Sequence, residues 1–175
     1  KFFVERVRKQ MSRMGGVIWW NLMDGWPQMS DAVVDYYYEK KLAFDYIKRS
    51  SKPFMIMLDE FNTWGHDVVC ANSTLSDISG KVRVRDVDSG SVIFEKSFTA
   101  KANSNTTLGK IELRCSKKGM LLIEWRLDNG ELGVDLLEIS DGVTAFAARN
   151  IHHMHQQTAA FDMAQEIVAQ TDTLA

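Results

Sequence analysis

The sequence is poor in cysteine and proline, with two residues of each among 175. Cys70 and Cys115 both stand in apolar, strand-like surroundings, and their spacing is not that of a zinc site. We expect two buried thiols rather than a disulfide, because free cysteine is among the most buried residue types. Pairing of the two stays open as the alternative, and so cysteine usage does not determine the cellular compartment.

An excess of charge and a long apolar run are also missing. Lysine and arginine number 21 against 23 aspartate and glutamate, giving a formal net charge of -2 and a pI of about 6.1. This balance gives no electrostatic reason to expect nucleic acid or an anionic membrane as a partner. No run approaches the roughly 20 apolar residues of a membrane span. With 45 % apolar and 25 % charged residues, the composition indicates a globular chain of one domain or slightly more.

The first 50 residues predict a helix, a buried strand, a loop and a second helix. Residues 1–12 have helical spacing, and the chain starts inside this helix without Met, so we expect a fragment or a processed chain. Val17–Trp20 is a continuous apolar run, typical of a strand covered on both faces in a parallel sheet or barrel. Asn21–Ser30 has the composition of a loop, and Tyr37–Arg49 that of a helix. Because one parallel strand needs neighbours, we expect them upstream or in another chain.

From Phe54 the apolar spacing changes to two, the period of a half-buried strand. Short candidate strands separated by turn residues predict an immunoglobulin-like β-sandwich over residues 53–149. The candidates are Phe54–Glu60, His66–Asn72, Gly80–Asp86, Val92–Ala100, Thr106–Arg114, Met120–Arg126 and one or two within Leu132–Ala148. Helical spacing returns in residues 150–175, which we expect to form a C-terminal helical tail.

Three carboxylates, Asp24, Asp31 and Asp35, lie in or near a tryptophan-rich stretch. A retaining glycosidase needs two carboxyl groups about 5–5.5 Å apart. Asp31 and Asp35 are equally suited to capping a helix or standing in its first turn. For Asp24 we favour a structural or substrate-orienting role over direct catalysis.

The tryptophans are candidates for sugar binding, because an indole offers a large rigid face and one N–H donor. Trp19 and Trp20 are adjacent on the predicted strand, and so their side chains point to opposite faces. We expect core packing for Trp19. For Trp20 and for Trp26 in the loop, a sugar-facing role and core packing are equal alternatives. Trp125 is expected to fill the sandwich core.

The histidines give little indication of chemistry. His152, His153 and His155 resemble a metal cluster, but no two stand at positions i and i+4 of one helix. We therefore expect a solvated polar segment there, His66 on the surface, and neither a metal nor a cofactor. Two glycosylation triplets, at Asn72 and Asn105, are of a kind that often arises by chance.

The stretch from Gly16 to Gln28 resembles the last barrel strand of family 2 glycoside hydrolases, most closely the β-mannosidase-like members. It reads Gly-Val-Ile-Trp-Trp-Asn-Leu-Met-Asp-Gly-Trp-Pro-Gln, beside a family strand of the form Gly-x-x-x-Trp-Gln-x-Asn-Asp-x-Trp-Pro. The likeness continues through residues 30–37 and 40–43, and residues 160–162 are similar to a Pro-Phe-Asp segment of the β-mannosidase type. The resemblance implies a mainly β chain. Residues 1–50 would be the last strand and helices of a TIM (β/α)8 barrel, followed by the immunoglobulin-like β-sandwich and the tail.

The resemblance also implies a retaining mechanism with two glutamates on earlier barrel strands. Both are expected to be absent from this chain, which has no Asn-Glu dipeptide. Trp20 would line the pocket for the sugar whose bond is cut, and Asn21, Asp24 and Trp26 would lie at or near its rim. Asn21 and Met23 depart from the Gln and Asn of the family pattern, and this leaves the sugar preference open.

We therefore expect the C-terminal portion of a retaining glycoside hydrolase that cleaves β-linked sugars, with β-mannosides preferred over β-galactosides or β-glucuronides. Its partners would be a carbohydrate substrate and the upstream part of the same enzyme, without a cofactor, nucleic acid or a membrane. The alternative is a non-catalytic β-sandwich module for carbohydrate binding or assembly, in which the tryptophans form an exposed platform.

Overall fold

A computed structural model describes residues 1–62, 64–112 and 119–139 of the chain. The chain divides into two compact units, Lys1–Pro53 and a second that begins at Phe54. The predictions for Cys115, for His152, His153 and His155, and for the tail of residues 150–175 lie outside the described residues. The division into a barrel piece (1–50), a sandwich (53–149) and a tail stays a prediction.

The first unit contains two helices, α1 (Phe2–Lys9) and α2 (Leu42–Ser50). Val4 and Val7 are buried on one face of α1, as its helical spacing predicts. Arg8 joins α1 to the end of α2, since its Nη1 donates to the Ser50 carbonyl at 2.8 Å and its Nη2 to the Pro53 carbonyl at 3.2 Å. The guanidinium thus supplies a donor for a carbonyl that has no partner within its own helix.

Helix α2 begins at Leu42 and not at the predicted Tyr37. The Oδ1 atom of Asp35 accepts hydrogen bonds from the backbone N–H of Tyr37 at 2.8 Å and of Glu39 at 2.9 Å. Tyr38 between them has a left-handed backbone with φ 69°. These side-chain bonds fix a turn that competes with the helix, and so helical geometry starts only after the turn has ended.

The predicted strand over Val17–Trp20 is not formed in this structure. These residues have no regular structure, and Ile18 and Trp20 are among the most exposed large apolar residues. A parallel-type strand forms only beside neighbours that complete its ladder. The described residues of the first unit provide only single bridges, Met23 with Val34 and Val34 with Lys40, so this prediction is wrong for the chain by itself.

The second unit is a β-sandwich of two antiparallel sheets. Its described strands are β1 (Phe54–Asn62), β2 (Gly65–Asn72), β3 (Ile78–Asp86), β4 (Val92–Ala100), β5 (Ser104–Glu112), β6 (Gly119–Leu127) and β7 (Leu132–Ile139). One sheet has the order β1-β2-β5 and the other the order β4-β3-β6-β7. The predictions of a mainly β chain and of a sandwich are confirmed, and Cys70 on β2 is buried as expected.

The sandwich core follows from the two-residue period of its strands. Along β3, Val82 and Val84 are buried and alternate with charged residues on the other face. Trp125 on β6 is buried in the core, which confirms its predicted role. Its ring lies edge-on to Phe54, with centroids 6.4 Å apart, and Phe54 stacks on Phe98 at 5.8 Å. These aromatic contacts join the two sheets.

His66 is buried at the start of β2, and so its predicted surface position is wrong. A register irregularity between Leu58 and Phe61 interrupts the pairing of β1 with β2. It brings the carbonyl of Asp59 to 2.7 Å from His66 Nδ1, which donates to it. Burial lowers the pKa of His66 and favours the neutral ring. The position near a strand end indicated exposure, but this irregularity places the ring inside.

Candidate functional site

The predicted site residues lie in a loop of the first unit that joins the two helices. Two single bridges shape it, one between Met23 and Val34 in parallel and one between Val34 and Lys40 in antiparallel orientation. The N–H of Asp24 donates to the Val34 carbonyl at 3.1 Å, and the N–H of Val34 donates to the Leu22 carbonyl at 2.9 Å. The segment after the tryptophans is therefore held against the segment that precedes α2.

Asp24 is the polar centre of this loop and is only 1 % exposed. Lys41 Nζ forms an ion pair with its Oδ2 at 2.7 Å. Gln28 Nε2 donates to its Oδ1 at 3.3 Å, and the Ser30 hydroxyl donates to the same oxygen. The hydrogen bonds from Lys41 and Ser30 lower the pKa of Asp24, while burial acts in the opposite direction. Asp24 is therefore an ionised carboxylate that fastens both halves of the loop, a geometry that suits a structural role.

Two indoles of the predicted site are exposed beside this centre. Trp20 is 82 % exposed and Trp26 is 64 % exposed, and Asn21 is half-buried and follows Trp20 through a cis peptide bond. Trp19 is exposed as well, so its predicted packing in a core is wrong for this structure. It differs from Trp20 in that its Nε1 donates to the Asp31 carbonyl at 3.0 Å. Exposed indole faces have the shape and chemistry that stacking on a sugar requires, and contact with a sugar stays a prediction.

Sequence reasoning missed a second aromatic group, the exposed tyrosines Tyr36, Tyr37 and Tyr38. The rings of Tyr36 and Tyr37 meet edge to face with centroids 5.3 Å apart. The sequence assigned Tyr37 to a helix face, whereas the Asp35 turn holds the three residues in the loop. An aspartate followed by consecutive tyrosines could have indicated this turn, since aspartate side chains bond the backbone two residues on.

An open apolar cleft of about 430 Å³ lies in the same unit. One wall comes from the loop and the other from α2. The lining residues are Trp19, Leu22, Val33, Phe44, Ile47, Lys48 and Ser51. Because this lining is mostly apolar, the cleft suits an apolar group better than a charged one.

Two of the three candidate carboxylates stabilise the loop through hydrogen bonds. Asp24 holds the side chains of Lys41 and Ser30, and Asp35 caps a turn. Within the described ranges, no group of three or more His, Cys, Asp or Glu residues is placed to hold a metal ion. No helix in the described part of the chain is both long and apolar enough to cross a membrane.

Comparison with known proteins gives one relative in sequence and several in fold. No protein-family model matches the sequence. The chain is 32 % identical over 83 residues to β-mannosidase B of Emericella nidulans, and this match covers 41 % of the chain and 10 % of that protein. A solved β-D-mannosidase of Dictyoglomus thermophilum superimposes with a TM-score of 0.68 at 21 % identity, covering 79 % of this chain and 18 % of that one.

The exo-chitosanase of Amycolatopsis orientalis has a similar fold, with a TM-score of 0.61, 17 % identity and coverage of 80 % of this chain and 18 % of that chain. The chain thus spans about a tenth of the curated relative and 18 % of each solved structure. At these identities the solved structures establish the fold, and the curated relative adds a likeness in sequence. Together the comparisons support a likeness to a C-terminal domain of β-mannosidase-like proteins, over part of the sequence and in the fold.

Proposed function

We propose that this chain is the C-terminal portion of a retaining glycoside hydrolase that cleaves β-linked sugars, with β-mannosides preferred. The observation that carries the proposal is the pair of exposed indoles, Trp20 and Trp26, beside the buried Asp24 centre. A rigid indole can stack on the C–H face of a sugar at a low cost in conformational entropy. Trp20 then forms the floor of the sugar pocket, and Asn21 and Trp26 form its rim.

Asp24 acts in this proposal by positioning the pocket. Its ion pair with Lys41 and its hydrogen bond from Ser30 hold the loop segment between Trp20 and Trp26. Its carboxylate oxygens already accept these bonds, which suits positioning better than catalysis. The two glutamates that perform the chemistry are proposed to belong to the upstream part of the protein, as the family resemblance implies. This chain therefore supplies one wall of the site and no catalytic carboxylate.

The upstream part is proposed to complete a TIM (β/α)8 barrel around the first unit. Val17, Ile18 and Leu22 are exposed in this structure, and contiguous exposed apolar residues are typical of a surface that another protein segment covers. With parallel neighbours present, Val17–Trp20 forms the strand that its composition predicts. The strand order of the second unit supports an immunoglobulin-like sandwich that follows this barrel.

The substrate preference rests on the relatives. A β-mannosidase is similar in sequence and another is similar in fold, which favours a β-mannoside over a β-galactoside or a β-glucuronide. The exo-chitosanase, a solved structure of similar fold, makes a β-glucosaminide the main competitor. Aryl β-glycosides of these four sugars (mannose, galactose, glucuronic acid and glucosamine) form the panel that tests the assignment.

The experiment compares hydrolysis of this panel by the 175-residue chain and by the full-length protein that contains it. We expect hydrolysis by the full-length protein, fastest for the aryl β-mannoside, and none by the chain. If neither protein hydrolyses any of the glycosides, the proposal of a glycosidase is contradicted. Hydrolysis by the chain alone would contradict the assignment of the catalytic glutamates to the upstream part.

Trp20→Ala in the full-length protein tests the pocket floor. We expect kcat/KM to fall about tenfold or more, equivalent to at least about 1.4 kcal/mol of transition-state stabilisation. Met29→Ala is the matched control, because Met29 is an exposed loop residue without a ring, and it should change kcat/KM by less than about twofold. Unfolding of the Trp20→Ala protein, followed by circular dichroism, would identify Trp20 as a core residue instead.

A second candidate is a non-catalytic carbohydrate-binding or assembly module. The exposure of Trp20 and Trp26 in this chain favours it, since both rings are accessible without the upstream part. It predicts that the chain binds a β-linked oligosaccharide as well as the full-length protein does. The glycosidase proposal predicts instead that the full-length protein binds the oligosaccharide more tightly than the chain does, because the upstream part completes the pocket.

A further inference from the structure

The turn that joins β6 to β7 contains the one asparagine of the sequence that precedes a glycine, Asn129 before Gly130. Leu127 and Glu131 close a three-residue loop, since the N–H of Leu127 donates to the Glu131 carbonyl at 2.8 Å. The N–H of Gly130 donates to the Leu127 carbonyl at 2.9 Å, and Gly130 has a left-handed backbone with φ 89°. This is the common three-residue hairpin loop with glycine at its left-handed position.

Asparagine is among the thermolabile residue types, and an asparagine before glycine is the most reactive case. The Gly130 nitrogen gives its proton to hydroxide and bonds to Cγ of Asn129, and the side-chain nitrogen takes a proton from water and leaves as ammonia. Water then opens the cyclic imide at either carbonyl, which gives aspartate or isoaspartate. Glycine favours the attack because it has no side chain to obstruct the approach, whereas every other asparagine of the sequence precedes a residue with a side chain.

The turn is open to solvent but holds both reacting groups apart. Asn129 and Gly130 are exposed, so water and hydroxide reach them. The N–H of Gly130 is committed to the Leu127 carbonyl, and the Oδ1 atom of Asn129 accepts from the N–H of Glu131 at 2.9 Å. Ring closure has to break both hydrogen bonds, and so it requires this end of the hairpin to open.

We propose that Asn129 is a deamidation site whose reactivity is governed by opening of the β6–β7 turn. Local openings of this kind cost less free energy than global unfolding, so the reaction proceeds in otherwise folded protein. Isoaspartate lengthens the main chain by a methylene group, and a turn that has reacted does not close again in the same geometry. The change therefore loosens the start of β7, where Gly133 lies against Trp125.

The test incubates the complete chain in mildly alkaline buffer, once folded and once unfolded in guanidinium chloride. Peptide mapping with mass spectrometry follows each asparagine, and enzymatic methylation detects isoaspartate. We expect Asn129 to react before the other asparagines in the unfolded chain, and at least about tenfold more slowly in the folded chain, because only the open fraction reacts. Asn129→Gln is the control, since the longer side chain closes a larger ring more slowly and should abolish the signal.

Gly133→Ala tests control by the hairpin. A Cβ atom on Gly133 would overlap the buried indole of Trp125, and so this variant should raise the rate at Asn129 in folded protein about fivefold or more. Gly119→Ala is the matched control, because Gly119 pairs with Ile139 at the end of the same ladder away from the turn, and it should change the rate by less than about twofold. If Gly133→Ala does not fold, denaturant below the unfolding midpoint should raise the rate in the wild-type chain instead.

Equal rates at Asn129 in the folded and the unfolded chain would overturn the proposal, since the turn would then not protect the amide. Earlier reaction at another asparagine, or no reaction at Asn129 in the unfolded chain, would overturn it as well. Equal effects of Gly133→Ala and Gly119→Ala on the folded protein would show that opening of the turn does not govern the reaction.

Discussion

Trp125 and Gly133 face each other across the β6–β7 ladder, and the indole occupies the space that a side chain on Gly133 would need. A Cβ atom at Gly133 would overlap the Cε2 atom of Trp125. Trp125 has no room to retreat, because it is buried against Phe54 in the core. The glycine is therefore what allows a large aromatic ring to lie flat over the edge of this sheet.

Gly133→Ala is expected to destabilise the sandwich by about 1–3 kcal/mol, the range for overpacking of a filled core. Urea denaturation followed by fluorescence measures the change in midpoint at constant slope. Gly119→Ala on β6 is the matched control, since among the described residues a Cβ there would meet only the end of the exposed Asp88 side chain, at 3.3 Å. A loss for Gly133→Ala no larger than the control's would contradict the close packing of Trp125 over Gly133.

Asn72 is a buried connector at the end of β2, although it begins a glycosylation triplet. Its Nδ2 donates to the carbonyls of Ser76 at 2.8 Å, Lys101 at 3.1 Å and Ala100 at 3.3 Å. Its Oδ1 accepts from the N–H of Thr74 at 2.9 Å and from its hydroxyl at 2.7 Å. The amide group that would carry a glycan is thus engaged inside the protein.

Asn72→Ala is expected to cost about 1–3 kcal/mol, because it takes this donor from the buried carbonyl of Ala100 and from two part-buried carbonyls. Thermal denaturation measures this loss. Mass spectrometry of the chain from a glycosylating host should find no glycan on Asn72 in folded protein. A folded, fully glycosylated Asn72 would contradict the observed hydrogen bonds.

Glu124 on β6 joins two arginines of the neighbouring strand β3 and is only 5 % exposed. Arg85 makes a two-point contact through Nε at 2.7 Å and Nη2 at 2.9 Å, whereas Arg83 makes one contact through Nε at 3.1 Å. The hydrogen bonds that Arg85 donates to Glu124 raise the pKa of Arg85 above its ordinary value. The two arginines therefore differ in geometry and in exposure, with Arg83 the more exposed.

Arg85→Gln should cost about 1.5–3 kcal/mol, because it removes a two-point charged contact to a buried carboxylate. Arg83→Gln should cost less than about 1 kcal/mol, the range of exposed ion pairs. Chemical denaturation of both variants and of Glu124→Gln gives the comparison. Equal losses for the two arginines would show that two-point geometry contributes nothing here.

The sandwich could be predicted from the sequence because turn residues separate its short strands and a two-residue period recurs, most clearly along β3. Val92–Ala100 has the predicted ends, since Asp88-Ser89-Gly90 marks the turn before it. The run Val17–Trp20 could not be placed in the same way. An apolar run without alternation needs partners to form a ladder, and its partners are not set by its own residues.

The polar contacts within the loop were harder to predict from the sequence than the presence of its aromatic residues. The Asp24–Lys41 pair joins residues that are distant in sequence and lie on either side of the turn at Asp35. No local period connects such positions, because the contact depends on how the loop folds back through Val34. Sequence could identify Asp24 as structural or substrate-orienting, but it could not name the cation that holds it.

The Asp24–Lys41 pair also predicts how the loop responds to acid. The folded pKa of Asp24 lies below its ordinary value, because Lys41 and Ser30 donate to the ionised form. In the unfolded loop the same carboxyl group has a pKa of about 3.9. As the pH falls below that value, the unfolded state takes up a proton before the folded state does, and so stability falls until the folded pKa is reached.

We therefore expect the loop to keep its order from pH 7 to about pH 5 and to lose stability on acidification below about pH 4. Near-ultraviolet circular dichroism, which senses the tryptophan environments, measures this from pH 7 to pH 2. Asp24→Asn should weaken the loop at neutral pH and flatten the acid response, because it removes both the charge and its titration. Lys41→Met tests the partner, since without the ammonium the folded pKa of Asp24 should move up towards its unfolded value, and the loss of stability on acidification should become smaller. The same acid profile in wild-type protein and in both variants would mean that another carboxylate governs the transition.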